Sequence, residues 1–379
     1  MASPSTAAGL TIRNRRNPDA TPPPSILHLS FDQEGDSFAV GTTHSFMVFN
    51  TDPFVRAFHQ DFSKNGQGGG VGVVQRIAAT NKFAVVGGGV GQELSRDTIV
   101  IWDNLVGQFT GELYFGSEVK SVRLRWDRIV AVTMHTVSVY DQKDLELLHE
   151  IETGPNPKGL CEISPWGRMV LVCLGSDKGE VRVEVEHYGL STSRLIKAHN
   201  SDVACVALSN DGRLLATAST KGTLVRVFDT SDGRLLQELR RGSEEAEIHS
   251  LCFSSDAEWL AVSSNKGTIH VFSLDTGSGS SVTDGSQEAE QKNSSFPHLS
   301  SFKGILPKYF SSEWSMAQFR VPEDIKHIIA FGHEKNTVLI IGMNGRFYRC
   351  KFDPIAGGEM TQMDCRNFLQ PLDSEYIIL

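Results

Sequence analysis

Short apolar runs that alternate with polar positions recur along this 379-residue chain. Seven of them share one form, β-branched or aromatic residues ending, in all but one, on a polar residue: Phe46-Met47-Val48-Phe49-Asn50, Ile99-Val100-Ile101-Trp102-Asp103, Val137-Ser138-Val139-Tyr140-Asp141, Val181-Arg182-Val183-Glu184-Val185, Val225-Arg226-Val227-Phe228-Asp229, Ile269-His270-Val271-Phe272-Ser273 and Phe347-Tyr348-Arg349-Cys350-Lys351. Such period-two runs suit strands, since successive side chains leave a strand on opposite faces. Glycine turns precede several of them, as in Lys178-Gly179-Glu180, Lys221-Gly222-Thr223, Lys266-Gly267-Thr268 and Asn344-Gly345-Arg346. Further strand-like segments lie between, among them Ile26–Phe31 and Val203–Leu208, while long helical periodicity is absent. Most copies fall roughly 40 to 50 residues apart, the spacing of a four-stranded propeller blade. Seven units predict an all-β, seven-bladed, WD40-like propeller over residues 26–370, a closed ring that leaves no sheet edge exposed.

The last interval, from Phe272 to Cys350, is nearly double the others, so blade six carries a long insertion at 275–313. Its first part, 275–298, is Gly, Ser, Asp, Glu and Gln, a composition that does not bury a core. Its second part concentrates apolar and aromatic residues beside Lys303 and Lys308. Phe296, Phe302, Ile305 and Leu306 there suit entry into a lipid headgroup boundary. For Leu306–Phe310 an equal alternative stands, in which the segment tucks against the blade as core. Residues 1–25, rich in Ala, Ser, Thr and Pro with Arg13, Arg15 and Arg16, are expected to be a disordered tail rather than a transit peptide. Residues 371–379 are expected to form a C-terminal tail.

Composition narrows the chemistry. A net charge of −9 disfavours a general nucleic-acid binder, so anion binding must come from a local cluster. No apolar run is long enough to span a bilayer as a helix, so membrane contact is expected to be peripheral. Six cysteines show no C-x-x-C spacing and four sit in apolar strands, which reads as a reduced cytosolic protein. The sequon Asn293-Ser294-Ser295 is then not expected to carry glycan. The stretch Gly87-Gly88-Gly89-Val90-Gly91 follows a strand but lacks the Gly-Lys-Ser/Thr of a phosphate loop. The histidines have no metal-ligand spacing, and no nucleophile turn is visible, so neither a cofactor nor catalysis is expected.

One local cluster does point to anions. Arg240-Arg241 lies midway between two copies of a single motif, Ala216-Thr217-Ala218-Ser219-Thr220-Lys221-Gly222-Thr223 and Ala261-Val262-Ser263-Ser264-Asn265-Lys266-Gly267-Thr268. Adjacent residues on an extended backbone point opposite ways, so one guanidinium can serve the repeat before and the other the repeat after. Each repeat adds hydroxyls, a lysine, and Arg226 or His270. Taken alone, such a pair reads rather as solvated arginines in an interblade connection with the Lys-Gly-Thr elements as hairpin turns, and His199 and His270 have satisfied core residues as their alternative.

With its context the chain resembles the PROPPIN family, the phosphoinositide-binding propellers typified by autophagy-related protein 18. Leu239-Arg240-Arg241-Gly242 and the flanking Lys-Gly-Thr elements carry the resemblance. So do Asn156-Pro157-Lys158-Gly159-Leu160-Cys161, Leu306-Pro307-Lys308-Tyr309-Phe310-Ser311-Ser312 and Phe49-Asn50-Thr51-Asp52-Pro53. It spans roughly residues 26 to 370. Leu239 stands where most members have Phe, as a buried aliphatic of equivalent use. The resemblance implies two headgroup sites on the rim of blades five and six, for phosphatidylinositol 3-phosphate and the 3,5-bisphosphate. Site 1 would use His199, Ser219, Thr223, Arg226 and Arg240. Site 2 would use Arg241, Ser264, Lys266, Thr268 and His270. It also implies a partner, an autophagy-related protein 2-type lipid-transfer protein, docked on the opening strand through Asp32 and Glu34. The expected protein is a non-enzymatic, monomeric effector, drawn from the cytoplasm to preautophagosomal, endosomal or vacuolar membranes. The competing reading is a WD40-type adaptor without lipid binding.

Overall fold

A computed structural model describes residues 24–63, 69–77, 80–89, 94–187, 190–275 and 312–370. Residues 1–23 of the predicted N-terminal tail and the predicted C-terminal tail at 371–379 lie outside them, as do Phe296, Phe302, Ile305 and Leu306 of the insertion. The described residues form seven sheets and contain no helix; four sheets are made of strands consecutive in the chain, and the sheets of blades 5, 6 and 7 each take a strand from further along it. The first strand of each blade is innermost, and neighbouring first strands touch around the axis. All seven runs singled out in the sequence are the third strand of a blade.

The reason lies in how the blades stack. Each sheet buries both faces against its neighbours, so inner strands are apolar on both sides: Leu214–Ser219 and Ser37–Thr42 are buried at every position. Along the third strand of blade 5, Leu224–Asp229, the faces separate cleanly. Val225 and Val227 pack towards blade 6 with Leu239, Leu251 and Val262. Phe228, on the other face, packs towards blade 4 with Val181, Val183 and Ile196.

The ring does not abolish sheet edges as expected. Closure pairs the faces of blades, so each fourth strand remains an edge, and Leu190–Lys197 of blade 4 is exposed at all positions but Ile196. Two edges are covered by short parallel additions. Glu313–Trp314 lies along blade 5, and Gly358–Glu359 along blade 6. Blades 1 and 7 share no strand among the described residues. They are held by an aromatic cluster instead, in which Phe38 stacks on Phe347 at 6.0 Å and meets Phe368 edge-on at 5.3 Å.

The insertion interrupts blade 6 between its third strand, Thr268–Ser273, and its fourth, Ala317–Arg320. The six cysteines are free. Burial pushes the Cys173 and Cys350 thiols up to about 12, so they pack as small apolar groups. No helix of the described residues is long and apolar enough to cross a membrane.

Candidate functional site

Both Lys-Gly-Thr elements are turns that bring the second strand of a blade into its third. Gly222 and Gly267 hold φ of +61° and +65°, the left-handed region that a side chain disfavours. A Cβ at Gly222 would fall 1.8 Å from the Ala246 carbonyl oxygen, so the turn sits hard against the chain entering blade 6. Arg240 ends the fourth strand of blade 5, Leu235–Arg240, and Arg241 opens the connection onward. Leu239, fully buried in the core between blades 5 and 6, fixes the strand so that its neighbours diverge.

Site 1 forms on the face of blade 5 that meets blade 4. Register sets Thr217 opposite Arg226, Arg226 opposite Glu238, and Leu224 opposite Arg240, so these residues share that face. Arg226 donates through Nη1 to the Ala198 carbonyl at 2.7 Å and pairs through Nε with Glu238 Oε2 at 3.0 Å. Arg240, buried to 9% exposure, donates through Nη2 to Ser312 Oγ at 3.2 Å. His199 Nε2 lies 2.9 Å from Thr217 Oγ1. Burial, and then the positive Arg226, push the His199 pKa down to about 4. The imidazole is therefore neutral at pH 7 and serves as a hydrogen-bonding group, not a charge. Ser219 is buried and Thr223 half-buried at the turn above.

Site 2 forms on the face of blade 6 that meets blade 5. Val262 stands opposite His270, and Thr268 opposite Arg320. Ser264, two residues beyond Val262, shares that face. Arg241 reaches this cleft from the blade 5 side, donating through Nε to the Gly222 carbonyl at 2.9 Å and through Nη2 to the Glu244 carbonyl. His270 Nδ1 is 3.0 Å from Ser315 Oγ, which also accepts from Gln318 Nε2 at 3.0 Å. Burial, and then Arg241, push the His270 pKa down to about 4, so this ring too is neutral. Lys266 is exposed and sits 3.4 Å from Glu244 Oε2, an exposed pair that adds little stability.

The arginine pair thus divides between two clefts, as alternation along an extended chain requires. All five residues expected at each site gather at one end of the sheets. Sequence reasoning missed Thr217, Glu238 and Ser312 at the first cleft, and Ser315, Gln318 and Arg320 at the second. Glu238 and Thr217 could have been found from hairpin register opposite Arg226. Those beyond residue 311 carry no sequence signal, because the insertion parts them from their blade.

Asp32 behaves differently from Glu34. Asp32 Oδ2 accepts from Ser37 Oγ at 2.6 Å inside the turn joining the first two strands, and burial raises its pKa. Glu34 is exposed. The turn leaves Glu34 as the outward-facing carboxylate of the two. Among the described residues no group of His, Cys, Asp or Glu could hold a metal ion.

A seven-bladed propeller that turns Arg240 and Arg241 toward different interblade faces at the rim of blades 5 and 6 defines the class. A family model described as PROPPIN matches residues 25–369. The chain belongs to the PROPPIN family, autophagy-related phosphoinositide-binding propellers. Autophagy-related protein 18e of Arabidopsis thaliana is 39% identical over 346 residues, covering 90% of this chain and 88% of that protein. Autophagy-related protein 18 of Dictyostelium discoideum is 33% identical over 347 residues, covering 88% and 91%. Kluyveromyces lactis Hsv2 with its complete loop 6CD superposes with a TM-score of 0.72 at 24% identity, over 91% of this chain and 99% of that one, a likeness of fold.

Proposed function

We propose that this protein reads 3-phosphorylated phosphoinositides, phosphatidylinositol 3-phosphate and the 3,5-bisphosphate, through the two rim clefts, and brings autophagy machinery to the membranes that carry them. The observation that supports this most is the split of Arg240 and Arg241 into adjacent clefts that repeat one architecture. A phosphomonoester calls for guanidinium forks with hydroxyl and amide donors, which is the residue set at each cleft. One charge-assisted hydrogen bond nets roughly 1.5–3 kcal/mol, so a single cleft binds weakly. Two clefts engaging one membrane multiply that through effective concentration. Phe296, Phe302, Ile305 and Leu306 of the insertion would add apolar contact with the bilayer.

Vesicle flotation of the purified protein tests the reading. Vesicles containing either 3-phosphorylated lipid should carry the protein upward, and vesicles containing unphosphorylated phosphatidylinositol should not. Equal flotation with all three would leave the WD40-type adaptor as the better description.

The proposed partner is an autophagy-related protein 2-type lipid-transfer protein docking on the opening strand at Asp32 and Glu34. Because Asp32 is tied to Ser37, Glu34 is the residue expected to meet a basic segment of the partner. Replacing Glu34 with Lys should weaken partner pull-down severalfold while flotation is retained. Undiminished pull-down would remove this surface from consideration.

A further inference from the structure

Blade 6 repeats the backbone of blade 5 more closely than its sequence suggests. The Arg241 amide donates to the Thr223 carbonyl at 3.0 Å, and the Val321 amide donates to the Gly267 carbonyl at 2.8 Å. These bonds close the same corner in each blade, where the fourth strand ends beside the Lys-Gly-Thr turn. The residue before each amide is an arginine. Arg240 ends the fourth strand of blade 5 and Arg320 ends that of blade 6. Arg320 lies directly opposite Thr268, and partners in register share a face, so it stands on the face that carries Ser264 and His270. The side chain is exposed and makes no hydrogen bond or ion pair among the described residues.

The two clefts also differ in charge. Across the hairpin from Arg226, blade 5 places Glu238, and the two form an ion pair. At the matching position blade 6 sets Gln318 opposite His270, a neutral pair linked through Ser315. The first cleft therefore offers Arg226 and Arg240 with a carboxylate between them and an uncharged His199. The second offers Arg241 and Arg320, and the carboxylate in its strand pairs is Glu359, opposite Gln318 on the added outer strand rather than paired to an arginine. Its other acidic neighbours are Glu244, held by Lys266, and Glu323, whose side chain lies over the Gly267 turn.

We propose that Arg320 is a phosphate-binding residue of the second cleft, and that Arg241 and Arg320 together make this cleft the one that takes the additional phosphate of a bisphosphorylated inositol headgroup. This rests on the headgroup reading of the two clefts. Two guanidinium forks approaching from opposite walls, one from blade 5 and one from the edge strand of blade 6, can each hold one phosphate of a ring that carries two.

The test uses the full chain with the first cleft disabled by Arg240→Thr, to which Arg320→Gln, Arg320→Lys or Arg241→Thr is added. Titration with water-soluble short-chain phosphatidylinositol 3-phosphate and 3,5-bisphosphate reads headgroup contact without a bilayer. Flotation with phosphatidylserine vesicles reads general attraction to a charged surface. Arg320→Gln should raise the Kd for the bisphosphate about tenfold, equivalent to about 1.4 kcal/mol. The rise for the monophosphate should be about twofold or less, and Arg320→Lys should fall between. The thermal midpoint should not move, since Arg320 is exposed. Unchanged bisphosphate affinity, in a background where Arg241→Thr abolishes binding, would overturn the role of Arg320 and leave the headgroup reading intact. If Arg241→Thr also changes nothing, the headgroup reading fails and this inference with it. An equal loss on phosphatidylserine vesicles would make Arg320 a general surface charge and overturn the assignment.

Discussion

Replacing both Arg240 and Arg241 with Thr is expected to lower vesicle binding by at least about a hundredfold, whereas either single replacement leaves partial binding. Each guanidinium is expected to supply roughly 1.5–3 kcal/mol of charge-assisted hydrogen bonding to phosphate, about one to two decades in affinity. The clefts open on different interblade faces, Arg240 with Ser312 and Glu238, and Arg241 with Gly222 and Glu244. Losing one therefore leaves the other intact, and what disappears is the avidity between them. Lysine at either position keeps the charge but not the fork, so Arg→Lys variants should sit between wild type and Thr. Both side chains also hold backbone or side-chain partners in the free protein, so circular dichroism and a thermal melt must accompany the flotation. Complete loss from one single replacement, in a folded protein, would contradict two independent clefts. Retained binding in the folded double variant would contradict the headgroup reading itself.

The second large effect is on stability. Phe347→Ala should cost about 3–5 kcal/mol, the usual range for deleting a buried phenylalanine, out of a total of roughly 5–15 kcal/mol. Phe347 is fully buried, stacks against Phe38 at 6.0 Å and lies 4.8 Å from Phe54. Leu339, Ile341 and Phe368 complete the cluster on the blade 7 side, with Leu29, Phe38 and Phe49 on the blade 1 side. No strand crosses this seam among the described residues, so side-chain packing and the Arg349 contacts to Asp52 and Thr51 are what hold the ring closed. The melting midpoint should fall by roughly 4–7 °C, and Phe347→Leu should recover most of the loss. A shift of only a degree or two would show that closure does not depend on this cluster.

How far the sequence reaches differs between strands and clefts. The third strands were legible because each alternates β-branched and aromatic residues and follows a glycine turn, a signal that needs no partner to read. Gly222 and Gly267 were equally legible as turns, since the left-handed backbone there favours glycine. The divergence of Arg240 and Arg241 followed from strand geometry alone. The role of Asp32 was not legible: an acidic residue in a turn reads the same whether it faces a partner or accepts from Ser37. Nor were the sheet edges, because a repeat count implies a ring but not whether closure is made by faces or by strands.

The sequence alone determined the all-β class, the count of seven blades, the place of the long insertion and the split of Arg240 and Arg241 between neighbouring interblade faces. These depend on local periodicity and repeat spacing, which short-range sterics impose on the chain. Tertiary structure decided what surrounds each arginine. It set Glu238 against Arg226 but Gln318 against His270, buried both histidines so that they stay neutral at pH 7, and returned Arg320 to blade 6 from the far side of the insertion. Burial and cross-strand register are properties of elements meeting in space, and no run of residues encodes them by itself.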